Sequence, residues 1–263
     1  MLVHIVADYG NGDLSFAEVI QRIKIHLPDA EPVLTPVPAF CTLAAGFCIA
    51  QLGLNASPPG TIIYHNVAPR EDDEAVRKGN AGERLSYVRL TTGVQVIGAN
   101  AGHVLSFVRD EAETLRWAAT SAEGSQFRSR DLFPQAAAAI ALGRPQALAE
   151  DIDVAVIPDV PSHRIAYIDG YGNLKTTIRF DPKAYRPKST LRIQINGIEQ
   201  QATVSDGTFS VEPGKMAFAP GSSGWKTKRG EDIRWIELFL RGGNACEAFK
   251  QPAIGAEIRI TAS

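Results

Sequence analysis

Helical spacing ends at Gly143, and the rest of the chain is written in short strand-like runs. That break constrains the fold more than any other feature, because alternating strands and helices bury their core in different layers from strands alone. Before the break the two patterns alternate. "LVHIVADYG" is a buried strand entering a polar loop. "SFAEVIQRIKIHL" places Phe16, Val19, Ile20, Ile23 and Leu27 at helical spacing, with Ser15 and Glu18 as a capping box. "EPVLTPV", "GTIIYHNV" and "LSYVRLTTGVQVIGANAGHVLSFV" supply further strands, and "AFCTLAAGFCIAQL" and "DLFPQAAAAIALG" further helices. This half predicts an α/β N-terminal domain, residues 1–157, with a mainly parallel mixed sheet. A Pro-containing linker spans 157–162. "HRIAYID", "LKTTIRF", "STLRIQING", "IEQQATVS", "WIELFL" and "AEIRITAS" then predict a smaller all-β, barrel-like C-terminal domain, residues 163–263.

Composition excludes several function classes. Twenty-seven basic residues against 29 acidic ones give a net charge of −2, which leaves no nucleic-acid footprint or membrane-surface patch. The opening run lacks the basic region and cleavage site of a signal peptide, and no apolar run is long enough to span a bilayer. Cys41, Cys48 and Cys246 are too few and scattered for a disulfide framework, and Cys41 and Cys48 share a helix face as packing residues. His4, His26, His65, His103 and His163 are isolated, without metal-ligand spacing. The reading is a cytoplasmic protein with no metal and no nucleic-acid or membrane partner. The charge run "REDDEAVRK", residues 70–78, reads as a solvated loop.

Three stretches carry chemistry. "IAYIDGYGNLKTTI" puts Asp169, Tyr171 and Asn173 in one turn. Such a turn is either a plain hairpin, with Gly supplying positive φ, or a binding corner in which a carboxylate, a ring and a carboxamide meet a ligand. "VADYGNGD" delivers Asp8 from a strand end into a Gly-rich loop, where a carboxylate can accept both hydroxyls of a ribose or simply form the turn, with Asp13 as a helix cap. "FRSRDLFPQAAAAIALG" runs Arg128, Ser129, Arg130 and Asp131 into an Ala-rich helix. Its N-terminus either holds an anion or is a capped end with surface arginines.

Taken in order, these stretches resemble the S-adenosylmethionine hydroxide adenosyltransferases, the family that also contains the fluorinases and chlorinases. "IVADYGNGDLSFAEVIQRI" is similar to the family's opening strand, Asp-aromatic-Gly loop and helix; "LPDAEPVLTPVPAF" and "PGTIIYHNVAP" resemble the next two segments. "IGANAGHVLSFV" stands where the family has Pro-Asn/Asp-Asn-Gly, and "FRSRDLFPQAAAAIALG" where it has Gly-Arg-Asp-Ile-Phe-Ala-Pro-Ala-Ala. "YIDGYGNLKTTI" resembles the Asp-x-Phe-Gly-Asn-x-x-Thr-Asn-Ile signature; "PGSSGW" and "RGGNACEAF" resemble the C-terminal elements.

The resemblance implies a site for S-adenosylmethionine as substrate or ligand, with no further cofactor. Asp169 pairs with its ammonium, Tyr171 stacks on adenine and Asn173 bonds the base. Asp8 holds the ribose hydroxyls, and Phe40 packs on the sugar. Asn100 falls among the substrate-contacting positions. Ser222 and Ser223 lie near the methionine carboxylate, and Asn244 and Ala245 offer backbone contacts to adenine. Arg128 and Ser129 form the catalytic pair that holds a nucleophile against the ribose 5′ carbon. The reaction is a single in-line displacement with methionine leaving, and the assembly is a homotrimer whose site is completed across a subunit boundary. This sequence departs from the hydrolases at the nucleophile. Ala68 replaces their Asp, Arg128 stands at their His, their Arg falls in the 70–78 loop near Arg77, and Ala99–Gly102 replaces "PDNG". Ser129 coincides with a halide-holding serine of the fluorinases. Three readings are open: an adenosyl-transferring enzyme, a degenerate protein that still binds S-adenosylmethionine or adenosine, and an unrelated hydrolase, which lacks a convincing Ser-His-Asp set here.

Overall fold

The computed structural model describes residues 1–262 except Ala68, residues 70–78, Asn80 and Ala122. The departure at Ala68 and the 70–78 loop with Arg77 thus lie outside the described residues. The chain forms two units, Met1–Asp159 and Val160–Ser263, and the cut falls inside the Pro-containing stretch.

The first unit contains β1 (Leu2–Ala7), α1 (Leu14–His26), β2 (Glu31–Pro36), α2 (Thr42–Gly53), β3 (Ile62–Asn66), β4 (Leu85–Leu90) and β5 (Gln95–Ala99). β6 (Ala112–Ala118), α3 (Arg128–Asp131), α4 (Phe133–Ala141) and β7 (Leu148–Asp151) complete it. Its sheet has the order β2-β1-β3-β5-β4-β6-β7. β1–β2, β1–β3 and β3–β5 are parallel, whereas β4–β5, β4–β6 and β6–β7 are antiparallel. The expected mainly parallel sheet is therefore evenly mixed. The reason is local: a parallel partner needs a crossover of about a dozen residues, and the "TTGV" link between β4 and β5 is far too short for one.

One face of this sheet packs on α1 and α4. Val3, Ile5 and Ala7 of β1, Ile62 and Tyr64 of β3, and Ile97 of β5 share a core with Phe16, Val19, Ile23, Phe133 and Ile140. α2 is buried at most positions, as a helix apolar on every side must be. Cys48 lies in that buried stretch, where burial pushes its thiol up to about 12 and leaves it a packing residue. α1 starts one residue before the expected box: Asp13 is the cap, accepting from the Ser15 N–H at 2.7 Å, and Glu18 instead meets Arg130 at 3.1 Å. The Ala-rich helix, by contrast, begins later than the sequence suggests. Pro134 sits in the first turn of α4, and its missing N–H prevents a continuous helix from Arg128. Arg128 and Ser129 lie on a separate single turn rather than at a long helix's N-terminus.

The second unit contains β8 (Ile165–Ile168), β9 (Leu174–Arg179), β10 (Thr190–Ile195), β11 (Ile198–Val204), β12 (Met216–Lys226), β13 (Asp232–Leu240), α5 (Ala245–Ala248) and β14 (Ile258–Ala262). The order is β14-β10-β11-β12-β13-β9-β8, antiparallel apart from β11–β12. The sheet is a curled half-barrel. Its ends are stitched by an Arg164–Glu257 bridge and by hydrogen bonds from Ile165 N to Ala256 O and from Ile258 N to His163 O. These contacts cover part of the open edges that a flat seven-stranded sheet exposes. Leu174, Ile193, Phe218, Ile236, Leu238 and Phe249 fill its core.

One buried group should make the first unit less stable in acid. His65 of β3 is fully buried against Gly98, and neither ring nitrogen has a hydrogen-bond partner among the described residues. Burial lowers its pKa from 6.5 to about 3. The folded ring stays neutral while the unfolded one takes up a proton, so stability is full above pH 6.5 and is lost as pH falls towards 3. Between pH 7 and pH 5 this histidine should remove about 2 kcal/mol. Urea unfolding at the two pH values should show that loss in the wild type and a clearly smaller one in His65→Phe.

Candidate functional site

Two sets of polar residues stand out, one in each unit. In the first, the carboxyl ends of parallel strands, where ligands of open α/β sheets bind, deliver Asp8 and Tyr9 after β1 and Asn66 at the end of β3. Asp8 Oδ2 accepts from Phe40 N at 2.9 Å. Phe40 has a φ of 61°, a left-handed conformation that costs a residue with a side chain and persists where the surroundings hold it. The Asp8 carboxylate does so, and the Phe40 ring stands half exposed. Two residues expected to meet one sugar are thus coupled.

Tyr9 donates to Ser129 Oγ at 2.7 Å and is hydrogen-bonded to the Asn66 side chain. Its ring lies edge-on to Phe16 and Phe127 at centroid distances of 5.1 and 5.7 Å. Tyr64 donates to the Ser129 carbonyl at 2.5 Å, so the buried Ser129 is gripped at backbone and side chain. Burial pushes both phenols well up, and they stay protonated donors at any working pH. Arg128 lies inward too, 3.8 Å from Glu83 and 5.8 Å over the Phe133 ring, and a Cβ at Gly82 would overlap its guanidinium. Arg130 pairs with Asp131 and Glu18; its hydrogen bond, with that of Ser125, holds the Asp131 carboxyl down at about 2. Asn100 is part-exposed, its N–H donating to Arg84 O at 3.0 Å. Tyr9, Asn66 and Tyr64 were not among the expected site residues. The available signal was position, since Tyr9 follows Asp8 and Asn66 closes "IIYHN" at a strand end.

In the second unit the turn between β8 and β9 is organised by Asp169. Its Oδ1 accepts from the N–H groups of Tyr171 and Asn173, both at 3.0 Å, and its Oδ2 accepts from Asn173 Nδ2 at 3.0 Å. Gly172, at φ 78°, lies so close to Asn244 that a Cβ would overlap that side chain. Asn244 caps α5 by accepting from Glu247 N, and Cys246 N donates to Gly172 O at 2.8 Å. The turn and the start of α5 are one piece, with Ala245 fully buried beneath. Tyr171 is 81% exposed, a large ring presented outward.

Behind the turn lies a buried ion pair. Lys175 Nζ donates to Glu237 Oε2 at 2.9 Å and stands 3.8 Å from Asp169 Oδ2. Glu237 is 1% exposed, and its Oε1 accepts from both the N–H and the Oγ of Ser223, at 3.1 and 2.6 Å. Register shifts between Pro220 and Gly224 of β12, and a Cβ at Gly221 would overlap the Glu237 carboxyl, so the bulge is shaped around that group. Ser222 is exposed and Ser223 is turned inward, which separates two serines expected to act alike. Lys175 and Glu237 also escaped the sequence reading.

No protein-family model matches the sequence, and no curated protein matches it. In fold it resembles a crystal structure from Thermotoga maritima described as an uncharacterized conserved protein, with a TM-score of 0.76 and 20% identity over 98% of this chain and 100% of that one. It also resembles a conserved hypothetical protein of Thermus thermophilus, with a TM-score of 0.67 and 19% identity over 98% and 99% of the two chains. These likenesses concern fold alone. Among the described residues no helix is long and apolar enough to cross a membrane, and no group of His, Cys, Asp or Glu could hold a metal ion.

The Tyr9 grip on Ser129 can be tested. Tyr9→Phe leaves the buried Ser129 hydroxyl without its donor and should cost about 1–3 kcal/mol in urea unfolding. A smaller cost for Tyr64→Phe would rank the side-chain hold above the backbone one.

Proposed function

We propose that the protein binds S-adenosylmethionine and displaces methionine at the ribose 5′ carbon with a small nucleophile: hydroxide, halide or another anion. The observation that carries this reading is the charge of the Asp169 corner. Asp169 and Glu237 bring two carboxylates and Lys175 one ammonium. One negative charge is left for a ligand cation to answer, beside an exposed aromatic ring. An ammonium group on a molecule that also carries a flat heteroaromatic base complements that pair. The Asp8–Phe40 arrangement supports the ribose half of the reading, since it presents a carboxylate and a ring at the end of a parallel strand. The homotrimer rests on the family resemblance, which places the two residue sets of one site on different subunits.

In this reading the protein mainly aligns and desolvates the nucleophile, because the sulfonium already makes methionine a good leaving group. Arg128 would supply positive charge and Ser129 a hydroxyl donor. Ser129 accepts the Tyr9 proton, so its own O–H is directed elsewhere. A second reading, a binding protein without turnover, is favoured by the Arg128–Glu83 contact, which already answers the cation inside the unit.

Calorimetric titration with S-adenosylmethionine should show saturable binding, and Asp169→Asn should weaken it ten- to hundredfold, the worth of about 1.5–3 kcal/mol for a charge-assisted hydrogen bond. Absence of binding by the wild type would end the proposal. Chromatography after incubation with water, chloride, fluoride and small carboxylates separates the two readings: a 5′-substituted adenosine or free methionine marks the enzyme, unchanged ligand the binding protein. Arg128 remains protonated and Tyr9 is a raised phenol, so neither is a general base, and release of adenosine should be slow.

A further inference from the structure

Glu237 is an expensive residue to bury. A buried carboxylate persists only with charge and hydrogen bonds around it. Here Lys175 supplies the charge, and Ser223 supplies two donors at 3.1 and 2.6 Å. Lys175 stands between two carboxylates at unequal distances, 2.9 Å from Glu237 and 3.8 Å from Asp169. The ammonium is committed to the inner carboxylate, and the outer one keeps its charge.

We propose that Glu237 is a positioning residue for ligand recognition: by holding Lys175 inward it keeps Asp169 available to a ligand ammonium. The assignment rests on the S-adenosylmethionine reading for the identity of the ligand, but the competition for Lys175 belongs to the protein alone. Replacing Glu237 by glutamine retains an acceptor for Ser223 and turns an amide donor towards Lys175. Two donors then face each other, and the lysine swings to the remaining carboxylate, Asp169. The ligand ammonium meets a neutralised pair. Glu237 thus touches no ligand and acts through Lys175.

The test combines structure and affinity. In the crystal structure of unliganded Glu237→Gln, Lys175 Nζ should close on Asp169 Oδ2 to about 2.8 Å. The same variant should bind S-adenosylmethionine about tenfold more weakly while its affinity for adenosine, which has no ammonium, stays unchanged. Lys175→Met/Glu237→Gln removes the competitor and should restore wild-type affinity, a rescue that a merely structural role for Glu237 does not produce. A Lys175 that keeps its wild-type position in Glu237→Gln, or a double variant as weak as the single, overturns the assignment. If Glu237→Gln does not fold, the double variant decides, and a tenfold loss there refutes it. If the wild type binds no S-adenosylmethionine, the proposed function fails, and the Lys175–Asp169 distance still rules on the competition.

Discussion

The second unit is arranged around a carboxylate that water hardly reaches. Leaving Glu237 uncompensated would cost several kcal/mol, and removing one partner of such a pair commonly costs about 3–5 kcal/mol. Its surroundings reflect that cost. Lys175 must reach it from β9, Ser223 must turn its N–H and hydroxyl inward from β12, and residue 221 must lack a side chain. The β12 bulge is what these demands look like in the backbone. One consequence reaches the surface, because the lysine that neutralises Glu237 also stands behind the Asp169 turn.

Where β1 and β3 end, the first unit solves its polar burial with neutral groups. Tyr9, Tyr64, Asn66 and Ser129 satisfy one another there, and aromatic edges from Phe16 and Phe127 pack round the Tyr9 ring. Such a network fixes Ser129 through neutral groups, next to the inward-turned Arg128. Asp8 plays a comparable part nearby, holding Phe40 in a left-handed conformation. His65 is buried in the space that Gly98 leaves for its ring, and neither ring nitrogen has a hydrogen-bond partner among the described residues.

Much of this was legible in the sequence where the signal is local. The loss of helical spacing after Gly143 and the prolines at 158 and 161 bracket the cut between units at Asp159 and Val160. The Asp169 turn was legible because Gly, Asp and Asn have few other reasons to cluster. Non-local pairing was not. Whether β5 meets β3, β4 or both depends on strand order, which periodicity does not encode. The start of α4 turned on Pro134; for α1 the sequence offered both Asp13 and Ser15 as caps, and Asp13 is the one used. Lys175 and Glu237 lie 62 residues apart, and only strand pairing brings them together. "WIELFL" did carry a mark: a carboxylate inside an apolar strand needs a partner, although nothing local says which.

In the proposed function the Asp169 corner receives the ammonium of S-adenosylmethionine. A crystal structure of the protein soaked with that compound tests it most directly. The ligand ammonium should lie within about 3 Å of the Asp169 carboxylate, with Lys175 still on Glu237. A bound ligand whose ammonium lies away from Asp169, or an unoccupied Asp169 corner at saturating concentration, would contradict it.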